Sequence, residues 1–211
     1  MLSQRGIGDG NDTLSTDNDP QSNDVLIGGL GDDTFSNVGA DSSDTVDAGE
    51  GNDVVELRQS NADEESVIAL GAGDDELNVV AYSRGPNAQI TLGPGQDTIF
   101  IQALDSTSTN LTISDFETGS NGDVVDLSGY FQNSLTEYLE GWDGATNPFG
   151  PAGYMTLTQD GADAVFQIDE DGGGDNYADV IRFVNTNADE FTASKWDSAE
   201  RPIASTNSKT G

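Results

Sequence analysis

The amino-acid sequence predicts an all-β chain: a parallel β-solenoid of short strands, followed by a β-rich cap with one short helix. Three observations carry this. A G-x-G-x-D-x-U pattern, with U apolar, occurs five times in the first hundred residues. Its last Asp falls at 12, 33, 53, 75 and 97, so the steps are 21, 20, 22 and 22 residues, a fixed period that points to a solenoid. Halfway along each step lies a weaker echo with the same apolar beat, so the unit is about nine residues and two units make one coil.

The five full loops pair Gly8 with Gly10, Gly29 with Gly31, Gly49 with Gly51, Gly71 with Gly73 and Gly93 with Gly95, each pair leading to its Asp. Side chains alternate along a strand, so Leu14, Leu26, Phe35, Val46, Val55, Ile68, Leu77, Ile90 and Ile99 are expected to point inward. Nine apolar positions make a thin core. The glycines let each loop reverse and turn its carbonyls towards a common point, which the Asp completes with a carboxylate. Oxygen donors alone, on a flexible loop, suit Ca²⁺ better than a softer metal.

In a stacked coil the rungs lie about 4.8 Å apart, and Asp12, Asp33, Asp53, Asp75 and Asp97 form a column. Two carboxylates at that distance repel by about 0.9 kcal/mol in water and by roughly 3.5 kcal/mol at an effective dielectric of 20. One Ca²⁺ between each pair of full loops turns repulsion into coordination, which predicts about four ions on this flank. With a Kd of ~0.1 mM and ~10 mM calcium, each ion adds about 2.7 kcal/mol. Folding is therefore expected to depend on the metal. The opposite flank keeps only Asp24 and Asp44, loses its glycines and carries extra residues at 37 and 38, 57 to 60 and 79 to 82; at most one or two ions are expected there.

Gly28-Gly29-Leu30-Gly31-Asp32-Asp33-Thr34-Phe35-Ser36 resembles the whole G-G-x-G-x-D-x-U-x nonapeptide of the RTX proteins exported by Gram-negative bacteria. The other loops replace the first glycine with Ile7, Ala48, Leu70 or Leu92. The resemblance implies a calcium-binding parallel β-roll over residues 1–104. It also implies export by a type I secretion apparatus that reads the C-terminal region, with secretion to the medium or the bacterial cell surface.

Composition narrows the functions. There are 39 acidic against 7 basic residues, a net charge of -32, which repels nucleic acid and anionic membranes. Cysteine and histidine are both absent, removing disulfides, thiol chemistry, ordinary zinc sites and Ser-His-Asp triads. No apolar run reaches the length of a membrane span, and Met1 to Gly6 holds no signal-peptide core. The opening in mid-repeat suggests upstream domains of the same protein.

Residues 105–211 form the expected capping and secretion-target region. Ile113-Ser114-Asp115-Phe116-Glu117-Thr118-Gly119, followed by Gly122-Asp123-Val124-Val125-Asp126-Leu127-Ser128, resembles the I-x-D-F signature that follows the repeats in many type I exported proteins. An open solenoid end needs a lid, for which Phe116, Val125, Leu127 and Tyr130 are candidates. Ser134-Leu135-Thr136-Glu137 is a capping box and predicts a helix over 135–141. Strands are expected at 154–158, 164–168 and 178–183, with a turn at 159–163. Asp169, Asp171 and Asp175 sit in a glycine-rich loop that is either a further Ca²⁺ site or a plain hairpin connection. Trp142, Tyr154 and Trp196 are candidates for stacking on sugars, or simply for core.

The function expected from all this is non-catalytic: a calcium-folded module, monomeric, at the C-terminal end of a large secreted protein, most like an RTX adhesin. Alternatives are a polysaccharide-binding roll and the tail of a secreted epimerase, protease or lipase.

Overall fold

A computed structural model describes residues 4–6, 8–16, 23–39, 43–58, 65–80, 85–103, 109–133, 139–143, 146–191 and 196–197. The strands are β1 (Gln4–Gly6), β2 (Thr13–Ser15), β3 (Val25–Leu30), β4 (Thr34–Val38), β5 (Thr45–Glu50), β6 (Val54–Leu57), β7 (Ser66–Ala72) and β8 (Glu76–Val80). They continue as β9 (Asn87–Thr91), β10 (Thr98–Ala103), β11 (Asn110–Ile113), β12 (Val124–Asp126), β13 (Met155–Asp160), β14 (Asp163–Ile168), β15 (Ala178–Phe183) and β16 (Trp196–Asp197). One helix, α1 (Ser128–Asn133), and a 3-10 turn (Ala188–Glu190) complete the described elements.

From β1 to β12, odd and even strands separate into two sheets, as two half-coils per turn require. The first sheet runs β1-β3-β5-β7-β9-β11-β15-β14-β13 and the second β16-β12-β10-β8-β6-β4-β2. All neighbours are parallel except β15-β14-β13, an antiparallel meander that extends the first sheet. The fold is thus a parallel β-roll, as the repeat predicts. Both sheets run on through β11 and β12, and β15 and β16 return to pair with those two strands. The helix and the β13–β14 hairpin lie between.

Register places like on like. Leu26, Val46, Ile68, Ile90, Ile113 and Phe183 stack across the first sheet, and Leu14, Phe35, Val55, Leu77, Ile99 and Val125 across the second. All are buried. The core is thicker than nine positions, and that expectation is corrected. Strands extend beyond three residues, so a second rank of Val38, Leu57, Val79 and Ile101 also turns inward.

The residues that replace the first consensus glycine add a third group: Ala48, Leu70 and Leu92 are fully buried. Ile7 lies outside the described residues. Gly28 is retained where the facing residue is largest: a Cβ there would come within 3.0 Å of the Phe35 ring and 2.3 Å of the Ala48 carbonyl oxygen. Volume is shared between the two positions of one rung, as close packing demands.

At the C-terminal end the lid residues behave as expected. Phe116, Val125, Leu127 and Tyr130 are buried, and Phe116 stacks on Phe191 at 5.0 Å and meets Phe183 edge-on at 4.8 Å. The one described helix begins at Ser128, whose N–H donates to Asp126 Oδ1 at 2.7 Å. The capping box at 134–137 lies outside the described residues, and the end of the helix expected there, Leu139 to Gly141, forms a turn. Among the described residues no helix is long and apolar enough to cross a membrane.

Candidate metal centre

Each motif Asp stands just before its strand and works in two directions. Its carbonyl accepts the N–H of the strand residue one rung on: Thr34 from Asp12, Val54 from Asp33, Glu76 from Asp53, Thr98 from Asp75 and Val124 from Asp97, at 2.8–2.9 Å. Its side chain reaches back. Asp33 Oδ1 accepts the N–H of Asp12 at 2.7 Å, Asp53 that of Asp33 at 2.7 Å, Asp75 that of Asp53 at 2.7 Å and Asp97 that of Asp75 at 2.9 Å.

The ladder has a sixth member, since Asp123 Oδ1 accepts the N–H of Asp97 at 3.1 Å. Asp123 belongs to the signature after the repeats, and the lengthened loop before it hides its equivalence to the motif Asp.

One oxygen of each carboxylate is thereby used. The other, Oδ2 of Asp33, Asp53, Asp75 and Asp97, is buried with no hydrogen-bond partner. Four desolvated anionic oxygens in a row are costly. Burial first, and then the charges of Asp75, Asp33 and Asp32, push Asp53 up to about 6. Burial, followed by Asp123, Asp75 and Asp115, pushes Asp97 up to about 7. Burial likewise raises Asp75 and Asp123.

The glycines pack as a second oxygen column. A Cβ on Gly73 would lie 1.8 Å from the Gly51 carbonyl oxygen, and one on Gly71 1.9 Å from that of Gly49. Gly10, Gly31, Gly51, Gly73 and Gly95 all have positive φ, as do Gly29, Gly49, Gly71 and Gly93; Gly8 does not. Orphaned carboxylate oxygens beside stacked carbonyls are the donor set of a hard cation, so the residues present fit Ca²⁺. Asp33, Asp53, Asp75 and Asp97, with the loop carbonyls, would hold it. Asp12, at the first rung, is only half-buried.

A parallel ladder went unread in the sequence. The residue before each motif Asp forms an outer column, Asn11, Asp32, Asn52, Asp74 and Gln96, in which each N–H from Asp32 onward donates to the side-chain oxygen of the rung before, at 2.9–3.0 Å. This ladder runs opposite to the inner one. Amide and carboxylate alternate along it, which keeps like charges two rungs apart. That alternation was the available signal.

The second flank differs. Asp24 N–H donates to Asp44 Oδ1 at 2.9 Å, Gly39 N–H donates to Asp44 Oδ2 at 2.8 Å, and Asp44 N–H meets Ser66 Oγ at 3.2 Å. Both Asp44 oxygens already accept backbone donors, and Ser66 and Ala88 take the ladder positions above. Calcium near Asp24 and Asp44 has no orphaned oxygen behind it. Back on the main flank, beyond the last repeat, Asp115 accepts the N–H groups of Leu92 and Gly93 at 2.9 and 3.0 Å, closing the last glycine corner.

In the cap, one oxygen each of Asp169, Asp171 and Asp175 lie within 4.8 Å of one another. Trp142 and Tyr154 are buried in the core and tied by hydrogen bonds to Thr146 and Glu140, which removes them as sugar platforms. The Trp196 side chain lies outside the described residues.

No protein-family model matches the chain. No curated protein matches it either. Among solved structures, it is similar to the AlgE6R3 subunit of the mannuronan C5-epimerase of Azotobacter vinelandii, determined in solution. The two share 20% identity over 94% of this chain and 84% of that one, with a TM-score of 0.33.

Proposed function

We propose that this chain is a calcium-dependent folding and assembly module of a type I secreted bacterial protein, without catalytic chemistry of its own. One observation supports the reading above the others: four buried carboxylate oxygens in line, each without a hydrogen-bond partner. Where free Ca²⁺ is scarce, those anions oppose the fold and the chain stays extended for export. Outside the cell the ions enter, the column becomes favourable, and the roll forms on its capped C-terminal end. The partners are Ca²⁺, the secretion apparatus and upstream domains, and the module acts as a monomer. The choice of an adhesin as parent rests on one resemblance alone, that of the strand, Asp- and Gly-rich loop and strand around residues 169–175 to the C-terminal target region of long RTX adhesins.

A polysaccharide-binding role is the second reading. Against acidic sugars stands a shallow hollow on the second sheet, lined by Asp74, Glu76, Thr98, Phe100 and Asp126, whose carboxylates repel uronates.

Calorimetric titration with Ca²⁺ tests the main reading. The wild type is expected to take up about four ions on the column, one per orphaned oxygen. The Asp53→Asn/Asp75→Asn variant is expected to lose at least two of them. Unchanged stoichiometry in the variant would refute the assignment.

A further inference from the structure

We propose that Asp169, Asp171 and Asp175 form a separate Ca²⁺ site in the cap, which fastens its two long connections independently of the roll. Three acidic groups close together are not by themselves a site. The second observation is Asp169, 1% exposed, whose Oδ1 is buried without a hydrogen-bond partner.

The loop is built to leave it so. Asp169 Oδ2 accepts the N–H groups of Gly174 at 2.9 Å and Asp175 at 3.2 Å, which fixes the plane of the carboxylate and commits only that oxygen. Gly172, Gly173 and Gly174 all have positive φ, allowing the chain to fold back over Asp169.

Donor chemistry decides the cation. Three carboxylates on a glycine-rich loop offer oxygen alone, which suits the six to eight flexible oxygen ligands of Ca²⁺ better than a softer metal or the strict octahedron of Mg²⁺. One oxygen from each carboxylate lies within 4.8 Å of the others, so the three are gathered around one place. Asp171 and Asp175 are exposed, leaving room for water to complete the shell.

The site is placed where it matters for the cap. Gly173 N–H donates to the Ala152 carbonyl at 2.8 Å, Asp169 N–H to Tyr154 at 2.8 Å, and Glu140 N–H to Glu170 at 2.6 Å. An ion in this loop therefore ties the stretch leading into β13 to the β14–β15 connection.

Native mass spectrometry of the full chain at saturating Ca²⁺, with hydrogen exchange, tests the proposal. Asp171→Asn/Asp175→Asn alters exposed side chains and is expected to fold; it should carry one ion fewer than wild type. Calcium should slow exchange at residues 169–175 in wild type and not in this variant. Asp53→Asn/Asp75→Asn should keep the cap ion while losing column ions. If the column reading fails and this one holds, wild type binds one ion, and Asp171→Asn/Asp175→Asn removes it. An unchanged ion count in Asp171→Asn/Asp175→Asn, or equal calcium protection of the loop in both proteins, overturns the proposal.

Discussion

Asp97 and Asp53 carry the energetic tension of the roll, because burial and neighbouring carboxylates push them up to about 7 and about 6 from an ordinary 3.8. Without metal the folded chain therefore holds more protons than the unfolded chain between the ordinary value and the raised ones. Stability in chelator must fall as pH rises through that window. Calcium reverses the sign, because ions have to displace those protons. Melting curves are expected to show the chelated protein more stable at about pH 5 than at about pH 7.5, and the calcium-loaded protein the opposite. The same slope in both conditions would contradict the column. The glycine corners give a second residue-level test. Gly73→Ala places a Cβ 1.8 Å from the Gly51 carbonyl oxygen at φ 152°, whereas Gly119→Ala meets nothing within 4 Å and carries no unusual φ. The first should destabilise by about 2 kcal/mol or more and the second by less than about 0.5 kcal/mol, read from denaturant midpoints in calcium.

Between loops, the roll is held by ladders rather than isolated contacts, and their ends are vulnerable. Asp115→Ala leaves the N–H groups of Leu92 and Gly93 without their acceptor, which should cost about 1–3 kcal/mol and fray β9 and β11 first in hydrogen exchange. The outer ladder predicts a smaller effect. Asn52→Asp puts three carboxylates in line at 32, 52 and 74, and should lower stability by about 0.5–1 kcal/mol at low ionic strength, with salt recovering it. The main flank was legible in the sequence because five copies of one loop constrain backbone and ligand together. The third apolar group was not, since Ala48, Leu70 and Leu92 stand where a consensus glycine belongs and look like erosion of the motif. All three are fully buried, so they belong to the core. The hairpin β13–β14 was readable from alternation around Gly161. The return of β15 beside β11 was not, because pairing across some seventy residues leaves no local mark. Helix α1 leaves little mark in the sequence, because Gly129 weakens its first turn.

For the molecule as a whole, two opposing terms decide whether the roll stands without metal. Val38, Leu57, Leu70, Val79, Leu92 and Ile101 add buried apolar surface to the nine positions expected, each worth about 1.5–3 kcal/mol before entropy is counted. Against them stand four orphaned oxygens and a net charge of -32. Desolvated anions without partners cost more per group than one aliphatic side chain returns, so the metal term is expected to win. The sheets pass without interruption from the repeats into the cap, and β15 and β16 supply the last parallel pair. Loss of the roll should therefore expose the inner face of the cap. The most direct measurement is far-ultraviolet circular dichroism of the full chain at about pH 7.5, titrated with Ca²⁺ from excess chelator. The spectrum in chelator is expected to lack native β-structure and to regain it in a cooperative transition as calcium is added. A native β-spectrum with an unchanged melting temperature in chelator would contradict a metal-dependent roll.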